Sequence, residues 1–382
     1  MVAEKEFQKD GSIAVWSKAF QNAEHTSINV HLDFWHLFRS PLHKRKAKLL
    51  VKDFLDIGLS IKNPQNIEEI NLYLPFAVNS ASIEDVGEKS ARFACANGID
   101  GDEYTCEVKE DEKWLEVVDI DNNRSLCRIN RFLLDEQKQI DKSVLELETY
   151  PDSTGTLLSI KTAAIQSASE NLNADGRVYF ALRVYFDRKT TSSLLYQVRP
   201  LGRDFQGAYE AIDCIDFHFN DRSRLPPSID RRIRDDEEKE KVSIATATFS
   251  AILPIHSDIS SCSSPWYKSE LLDKTGWYDY VPGGIPNSMI SYRWKFTQQE
   301  RGFSDFSTFL KMRTRVTGPK ILQHYMTNIF LVSFLGNMTA LIMGVLSIKL
   351  SGLLVGLIVG AIGLLFLYSV IEMFQIIITT RN

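Results

Sequence analysis

The chain has 382 residues, a formal net charge of −5 and five cysteines in an odd set without CxxC or zinc-like spacing. That balance excludes a protein held to nucleic acid by its overall field, and the cysteine pattern excludes a disulfide framework or a zinc ribbon. The start, from Met1 to Phe7, has no basic segment followed by an apolar run, so no secretory leader is expected.

In chain order, residues 12–20 form a short amphipathic opening segment. Ser27–Trp35 alternates, with Ile28, Val30, Leu32 and Phe34 at every second position, and predicts a strand with one buried face. Helical spacing of Leu49, Leu50, Phe54, Leu55 and Ile57 predicts a helix over 46–61, and residues 70–76 read as a strand. Residues 82–96 predict a helix with Ser82 as its N-cap and Gly98 beyond its end.

After Gly98 the pattern turns mainly to β. Residues 114–120 and 125–132 flank an Asp121-Asn122-Asn123 turn and predict a hairpin. Residues 144–147 add a strand, and the Ala and Ser content of 155–169 favours a helix. Residues 177–186, 211–219 and 242–253 predict further strands. Between the last two, 220–241 reads as a surface loop with Pro226-Pro227, a run of arginines and then an acidic run. Residues 257–284 suggest irregular packed structure. Residues 305–316 predict an amphipathic basic helix, broken at Gly318-Pro319.

Residues 325–348 and 350–378 are almost wholly apolar, and each is long enough to cross a hydrocarbon core of about 30 Å. The fold expected is therefore an α+β cytosolic body, mixed and β-rich after residue 100, followed by a C-terminal two-helix transmembrane hairpin. The domains are a sensor region over 1–302, a coupling helix and Gly-Pro break over 303–320, and the hairpin over 321–382. Lys311, Arg313, Arg315 and Lys320 precede the first span and Arg381 follows the second, against Lys349 alone in the turn. The positive-inside rule then places both termini in the cytoplasm of a multi-pass membrane protein.

Small residues recur every fourth position, Gly336, Ala340 and Gly344 in the first span and Gly352, Gly356 and Gly360 in the second. Such faces let helices approach closely, within the hairpin or in a homo-oligomer, with a tetramer as the working number. Ser333, Asn337, Thr339 and Glu372 are the polar positions to test for a pore, with Gly318 and Pro319 as the coupling break.

The soluble body holds no GxxxxGK[ST], HExxH, GxSxG or EF-hand pattern, so neither catalytic residues nor a metal or cofactor are expected. Two basic constellations suit an anion. Arg39, Lys44, Arg45 and Lys46 lie beside Trp35, whose ring can stack a base, and Arg222, Arg224, Arg231, Arg232 and Arg234 offer guanidinium groups to phosphates. The alternative for each is a solvated charged face, aided in the second by Asp235 to Glu238.

A body without catalytic motifs, a short basic coupling helix and a small-residue hairpin together resemble membrane effectors of bacterial anti-phage systems, most of all those of Hailong-type systems. The resemblance is architectural. It implies an ion channel in the bacterial inner membrane, gated by a nucleotide or a short single-stranded DNA oligomer, with a partner nucleotidyltransferase that makes the signal. A membrane-anchored enzyme and a scaffold are the alternatives.

Overall fold

A computed structural model describes residues 11–20, 26–37 and 52–97, most of 104–315, and 319–346, with Gly356, Gly360 and Gly363 beyond. The chain divides into two compact units, Met1–Arg315 and Val316–Asn382.

The first unit is built on a ten-stranded sheet. Its order begins with β16 (Lys268–Leu272), β17 (Met289–Thr297), β14 (Ser243–Pro254) and β2 (Ser27–Trp35). It continues with β3 (Phe54–Lys62), β11 (Arg177–Tyr185), β8 (Arg124–Asn130), β7 (Trp114–Asp119) and β6 (Tyr104–Glu107). The tenth strand, β5 (Ile83–Asp85), pairs with the second half of β11, while β8 pairs in parallel beside its first half.

Two smaller sheets cover one face. One has the order β1 (Ala14–Ala19), β4 (Ile67–Leu74), β10 (Thr156–Ile160) and β9 (Leu145–Thr149). The other has β12 (Leu195–Val198), β13 (Glu210–Phe219), β18 (Phe306–Arg315) and β15 (Ser257–Cys262). The core lies between these layers. Ile28, Val30, Leu32 and Phe34 of β2 and Leu55, Ile57, Leu59 and Ile61 of β3 belong to one buried cluster with Ile70 and Leu72 of β4 and Phe217 and Leu310 of the other small sheet. Because side chains alternate along a strand, the same strands send Asp33, Trp35, Asp56 and Gly58 to the opposite face.

The two small sheets are joined at Ile13 and Asn220. Ile13 N–H donates to the His218 carbonyl at 2.9 Å, and Asn220 N–H to the Ile13 carbonyl at 2.8 Å. Asn220 sits at φ 51°, in the left-handed region that Asn tolerates better than most residues. Its side-chain oxygen accepts from Val15 N–H at 2.8 Å, and its amide donates to the Val15 carbonyl at 3.3 Å.

Three helices are described in this unit: α1 (Gly87–Asn97), α2 (Thr162–Ser169) and α3 (Pro227–Glu237). The strands expected at 27–35, 177–186, 211–219 and 242–253, and the hairpin around residues 121–123, are present as β2, β11, β13, β14 and the β7–β8 pair.

Several expectations are corrected. Within the expected helix over 46–61, the described part is strand β3, because Leu55, Ile57, Leu59 and Ile61 also recur at period two. Ser82 ends a 3-10 turn and is followed by β5, so α1 starts five residues later, at Gly87. The first half of 155–169 is strand β10. The loop over 220–241 contains α3, and 257–284 contains β15 and β16. The coupling helix over 305–316 is strand β18. Phe306, Thr308, Leu310, Met312 and Thr314 are its buried side, a period-two pattern that the two threonines hid from a hydropathy reading.

In the second unit, α4 (Pro319–Leu346) lies where the first span was expected, with Pro319 as its first residue. Gly318, the other half of the expected break, lies outside the described residues. Among the described residues no helix is long and apolar enough to cross a membrane. The transmembrane hairpin, the multi-pass inner-membrane placement and the ion channel built on them are therefore withdrawn. Among the described residues, a Cβ added at Gly336, Gly344, Gly356 or Gly360 would meet nothing within 4 Å.

The join at Asn220 carries a prediction. Asn220→Gly keeps the left-handed backbone but loses both side-chain bonds to Val15, and should lower stability by about 1–2 kcal/mol. Asn220→Ala adds strain at positive φ and should cost roughly 1 kcal/mol more. The midpoints of urea unfolding check both, and equal midpoints for the two variants would exclude the strain.

Candidate functional site

On the face turned away from the core, the strand register builds a continuous row of polar residues across the large sheet. Lys268 pairs with Arg293, Arg293 with Ser250, Ser250 with Asp33, Asp33 with Asp56, Asp56 with Arg183 and Arg183 with Glu84. The next row carries Ser291, Ile252, Trp35, Phe54 and Tyr185. On the other side lie Lys295, Thr248, His31 and Gly58.

Arg183 is the deepest member, with a relative exposure of 0%. Its Nε donates to Asp56 Oδ1 at 2.7 Å and its second terminal nitrogen to Oδ2 at 2.9 Å, a bidentate ion pair. Its remaining nitrogen donates to the Tyr280 carbonyl at 2.9 Å, and the Tyr280 hydroxyl donates to Asp56 Oδ2 at 2.7 Å. The guanidinium also lies 4.0 Å from the Phe54 ring centroid and 4.7 Å from that of Tyr280. Burial pushes the Asp56 carboxyl up even against these bonds, while the same carboxylate, overcoming burial, holds Arg183 more firmly protonated than usual.

This network pins Tyr280, and with it the chain around it, over the sheet. The result is an aromatic wall. Trp277 stands 5.1 Å from Trp35, 5.3 Å from Tyr280 and 3.8 Å from Phe93 of α1, centroid to centroid. Between wall and sheet lies a cavity of about 170 Å³ lined by Asp33, Trp35, Ser90, Phe93, Tyr179, Ile252, Leu272, Trp277, Tyr280, Ser291 and Arg293. At about 30 Å³ per liquid water it has room for one small ring system, below the ~300–1,000 Å³ of sites for drug-sized ligands.

The electrostatics of the cavity are set by burial. Burial pushes the Asp33 carboxyl above its ordinary value, opposed by a hydrogen bond from Ser250 and by the charge of Arg293. Burial, then Arg293 and Lys295, hold His31 below its ordinary value, so it is neutral here at pH 7. Tyr179 reaches over Gly58, where an added Cβ would stand 1.9 Å from its hydroxyl. Gly58 thus makes the space in which that hydroxyl lies. Trp35, 1% exposed, has an indole N–H with no acceptor among the described residues. A buried donor without a partner costs about 1–3 kcal/mol, and a ligand acceptor would restore it.

α1 closes the cavity and is anchored by Asp85. Asp85 Oδ1 accepts from Gly87 N–H at 2.9 Å and Oδ2 from Phe132 N–H at 2.7 Å.

Of the residues singled out from sequence, Trp35 lines this cavity, and so do Trp277 and Tyr280 of the aromatic stretch 266–280, a third candidate wall for which packing is the alternative. Arg39, Lys44, Arg45 and Lys46 lie outside the described residues, as does Glu372. The arginines of 222–234 are on a 3-10 turn and α3, whose apolar side packs on Ala14, Trp16, Tyr73 and Leu157. Their charges meet local carboxylates: Arg222 pairs with Glu237, Arg224 lies 3.5 Å from both Asp216 and Asp221, Arg232 lies 3.0 Å from Glu148, and Arg234 lies 2.6 Å from Asp230. Arg231 is exposed beside them. This constellation is a neutralised charged face, not a convergent anion site. Ser333, Asn337 and Thr339 lie on α4, where Thr339 donates to the Leu335 carbonyl of its own helix at 2.7 Å.

Sequence reasoning missed Asp33, Asp56, Arg183 and Arg293. The signal was present: charges inside strands with buried faces, a placement that requires partners. Among the described residues no group of His, Cys, Asp and Glu has the geometry of a metal site. No protein-family model matches the chain, and no curated protein matches it at a significant level.

The anchor of α1 has a pH signature. Burial raises the Asp85 carboxyl to about 6 from an ordinary value near 4, despite its two backbone donors. A carboxyl with a raised pKa favours the folded chain most below its unfolded value, and that contribution is lost as pH rises through about 6. Stability from this group should therefore fall by roughly 2–3 kcal/mol between pH 4 and pH 7, and Asp85→Asn should flatten that slope. Urea midpoints across this range measure it, and an unchanged slope in the variant would assign the pH dependence elsewhere.

Proposed function

We propose that the Met1–Arg315 unit is a nucleotide-binding module that takes the base of a single nucleotide in the cavity between the large sheet and the aromatic wall. The observation that carries this reading is the cavity itself: four aromatic rings, Trp35, Phe93, Trp277 and Tyr280, inclined to one another around a space that Asp33 and Arg293 also line. Every nucleobase has a π-face, and stacking on an aromatic side chain contributes about 1–3 kcal/mol per base. The Asp33 carboxyl gives the ring edge a hydrogen-bonding partner, and Arg293 suits a phosphate.

The resemblance to nucleotide-read effectors loses its hairpin, and what remains of it is the class of ligand. The size of the cavity limits that ligand at this site to one base, so an oligomer would leave its other bases outside. Self-assembly and a partner nucleotidyltransferase belong to the resemblance and take no part in this reading.

A second reading has one observation of its own. Asp33 and Asp56 lie directly opposite on neighbouring strands, and paired carboxylates in unequal surroundings are the usual equipment of general acid–base catalysis.

A titration with nucleoside monophosphates, followed by tryptophan fluorescence, tests the main reading. At least one nucleotide should quench the emission saturably. Trp277→Ala should weaken its binding by roughly 5–150-fold, the equivalent of one lost stacking contact. Chromatography of the same mixtures separates the two readings, since binding returns the nucleotide intact and catalysis returns product. No saturable binding of any nucleotide would contradict the proposal.

A further inference from the structure

The large sheet ends on β16, whose outer edge meets no further strand among the described residues. An open edge presents a row of backbone N–H and C=O groups ready to pair with another chain, and proteins ordinarily cover, twist or charge such edges. This one is uncovered. Tyr267, Lys268, Ser269, Glu270 and Leu271 are all exposed, and two large apolar side chains stand out among them, Tyr267 at 56% and Leu271 at 61%. Trp266, also exposed, meets Tyr292 of β17 edge-on at 5.2 Å. The edge is charged as well, and the placement of the charges tells what fits it.

Lys268 and Glu270 flank Ser269 and lie on the face of the sheet that bears the cavity, since Lys268 pairs with Arg293 and Glu270 with Ser291. Their present contacts are loose. Glu270 stands 3.7 Å from both Lys268 and Arg293, beyond the ~2.7–2.9 Å of a charge-assisted hydrogen bond. When a strand pairs antiparallel with its own copy, residues equally far on either side of the twofold axis stand opposite each other. With the axis at Ser269, Lys268 of each copy faces Glu270 of the other, and Tyr267 comes beside Leu271. With the axis at Lys268 or at Glu270, a like charge would face itself, which is destabilising. The edge charges thus oppose slipped registers and suit one arrangement.

We propose that β16 is a docking edge for a second copy of this chain, which pairs antiparallel about Ser269 into a twofold dimer. Backbone pairing continues the large sheet from one copy into the other, and two Lys268–Glu270 pairs fix the register. The axis is normal to the sheet, so both cavities lie on the same face of it. The dimer does not depend on what the cavity binds.

The full chain carrying Ser269→Cys tests this, with the unsubstituted chain and its five cysteines as background. Opposite residues on paired strands stand about 4.5–5.5 Å apart at Cα, within the roughly 4.4–6.8 Å that a disulfide spans. Mild oxidation should therefore give a disulfide-linked dimer that the background lacks. Adding Lys268→Glu sets acid against acid, and adding Glu270→Lys sets base against base. Either should cut the yield about tenfold. All three side chains are exposed, so these variants should fold as the native chain does. Mixing the two charge variants should restore the yield as a heterodimer, which an ion pair within one chain cannot explain. The proposal is overturned by no linked dimer from Ser269→Cys, by a yield indifferent to the charge changes, or by a mixture no better than its components.

Discussion

A guanidinium with no exposed surface stands in the middle of a sheet face, and it is tolerable there only because every direction around it is answered. Asp56 takes two of its nitrogens, the Tyr280 carbonyl takes the third, and the rings of Phe54 and Tyr280 lie within cation–π reach. Removing such a charge from water costs several kcal/mol, and a pair of this kind does little for net stability compared with apolar side chains of similar size. What it does supply is position. Breaking one member would leave the other charged and buried, at a cost of about 3–5 kcal/mol, so the pair fixes Tyr280 over the sheet with little freedom. The aromatic wall and the cavity beneath it follow from that constraint.

The same strands serve two purposes because a strand has two faces. In β2, β3 and β14 the residues at even spacing on one side fill the layer shared with the small sheets. The residues between them carry the polar row and the cavity floor. The core therefore holds the site rigid without contributing to its chemistry, and substitutions in the polar row can change ligand preference while the core stays intact. α1 completes the enclosure from β5, which shares the edge of β11 with β8, and Asp85 ties the start of that helix to both.

How much of this was legible in the sequence depended on which period a residue obeys. β2 and β11 were readable because apolar residues alternate or run without a break. β3 and β18 were misread as helices because four or five apolar residues can satisfy periods of 2 and 3.6 together. In β18, moreover, Thr308 and Thr314 are buried positions that hydropathy counts as polar. Trp35 was recognised as a ring able to stack a base, but it was grouped with the lysines and arginines that follow it in sequence. Its neighbours in the fold are Asp33 on the same face of β2 and, at long sequence separation that no local pattern encodes, Phe93 on α1 and Trp277. The arginines of 222–234 drew attention as a dense run, whereas the fold gives them carboxylates from α3 itself and from β9 and β13. The apolar C-terminal runs promised two spans on composition alone. Among the described residues no helix there is long and apolar enough to cross a membrane.

The most direct test is a crystal structure of the full chain with the nucleoside monophosphate that quenches its tryptophan emission most strongly. The account predicts the base against Trp277 and Phe93, with its polar edge within about 3 Å of Asp33 and its phosphate at Arg293. A nucleotide bound instead along the arginines of α3, with the aromatic cavity unaltered, would contradict it.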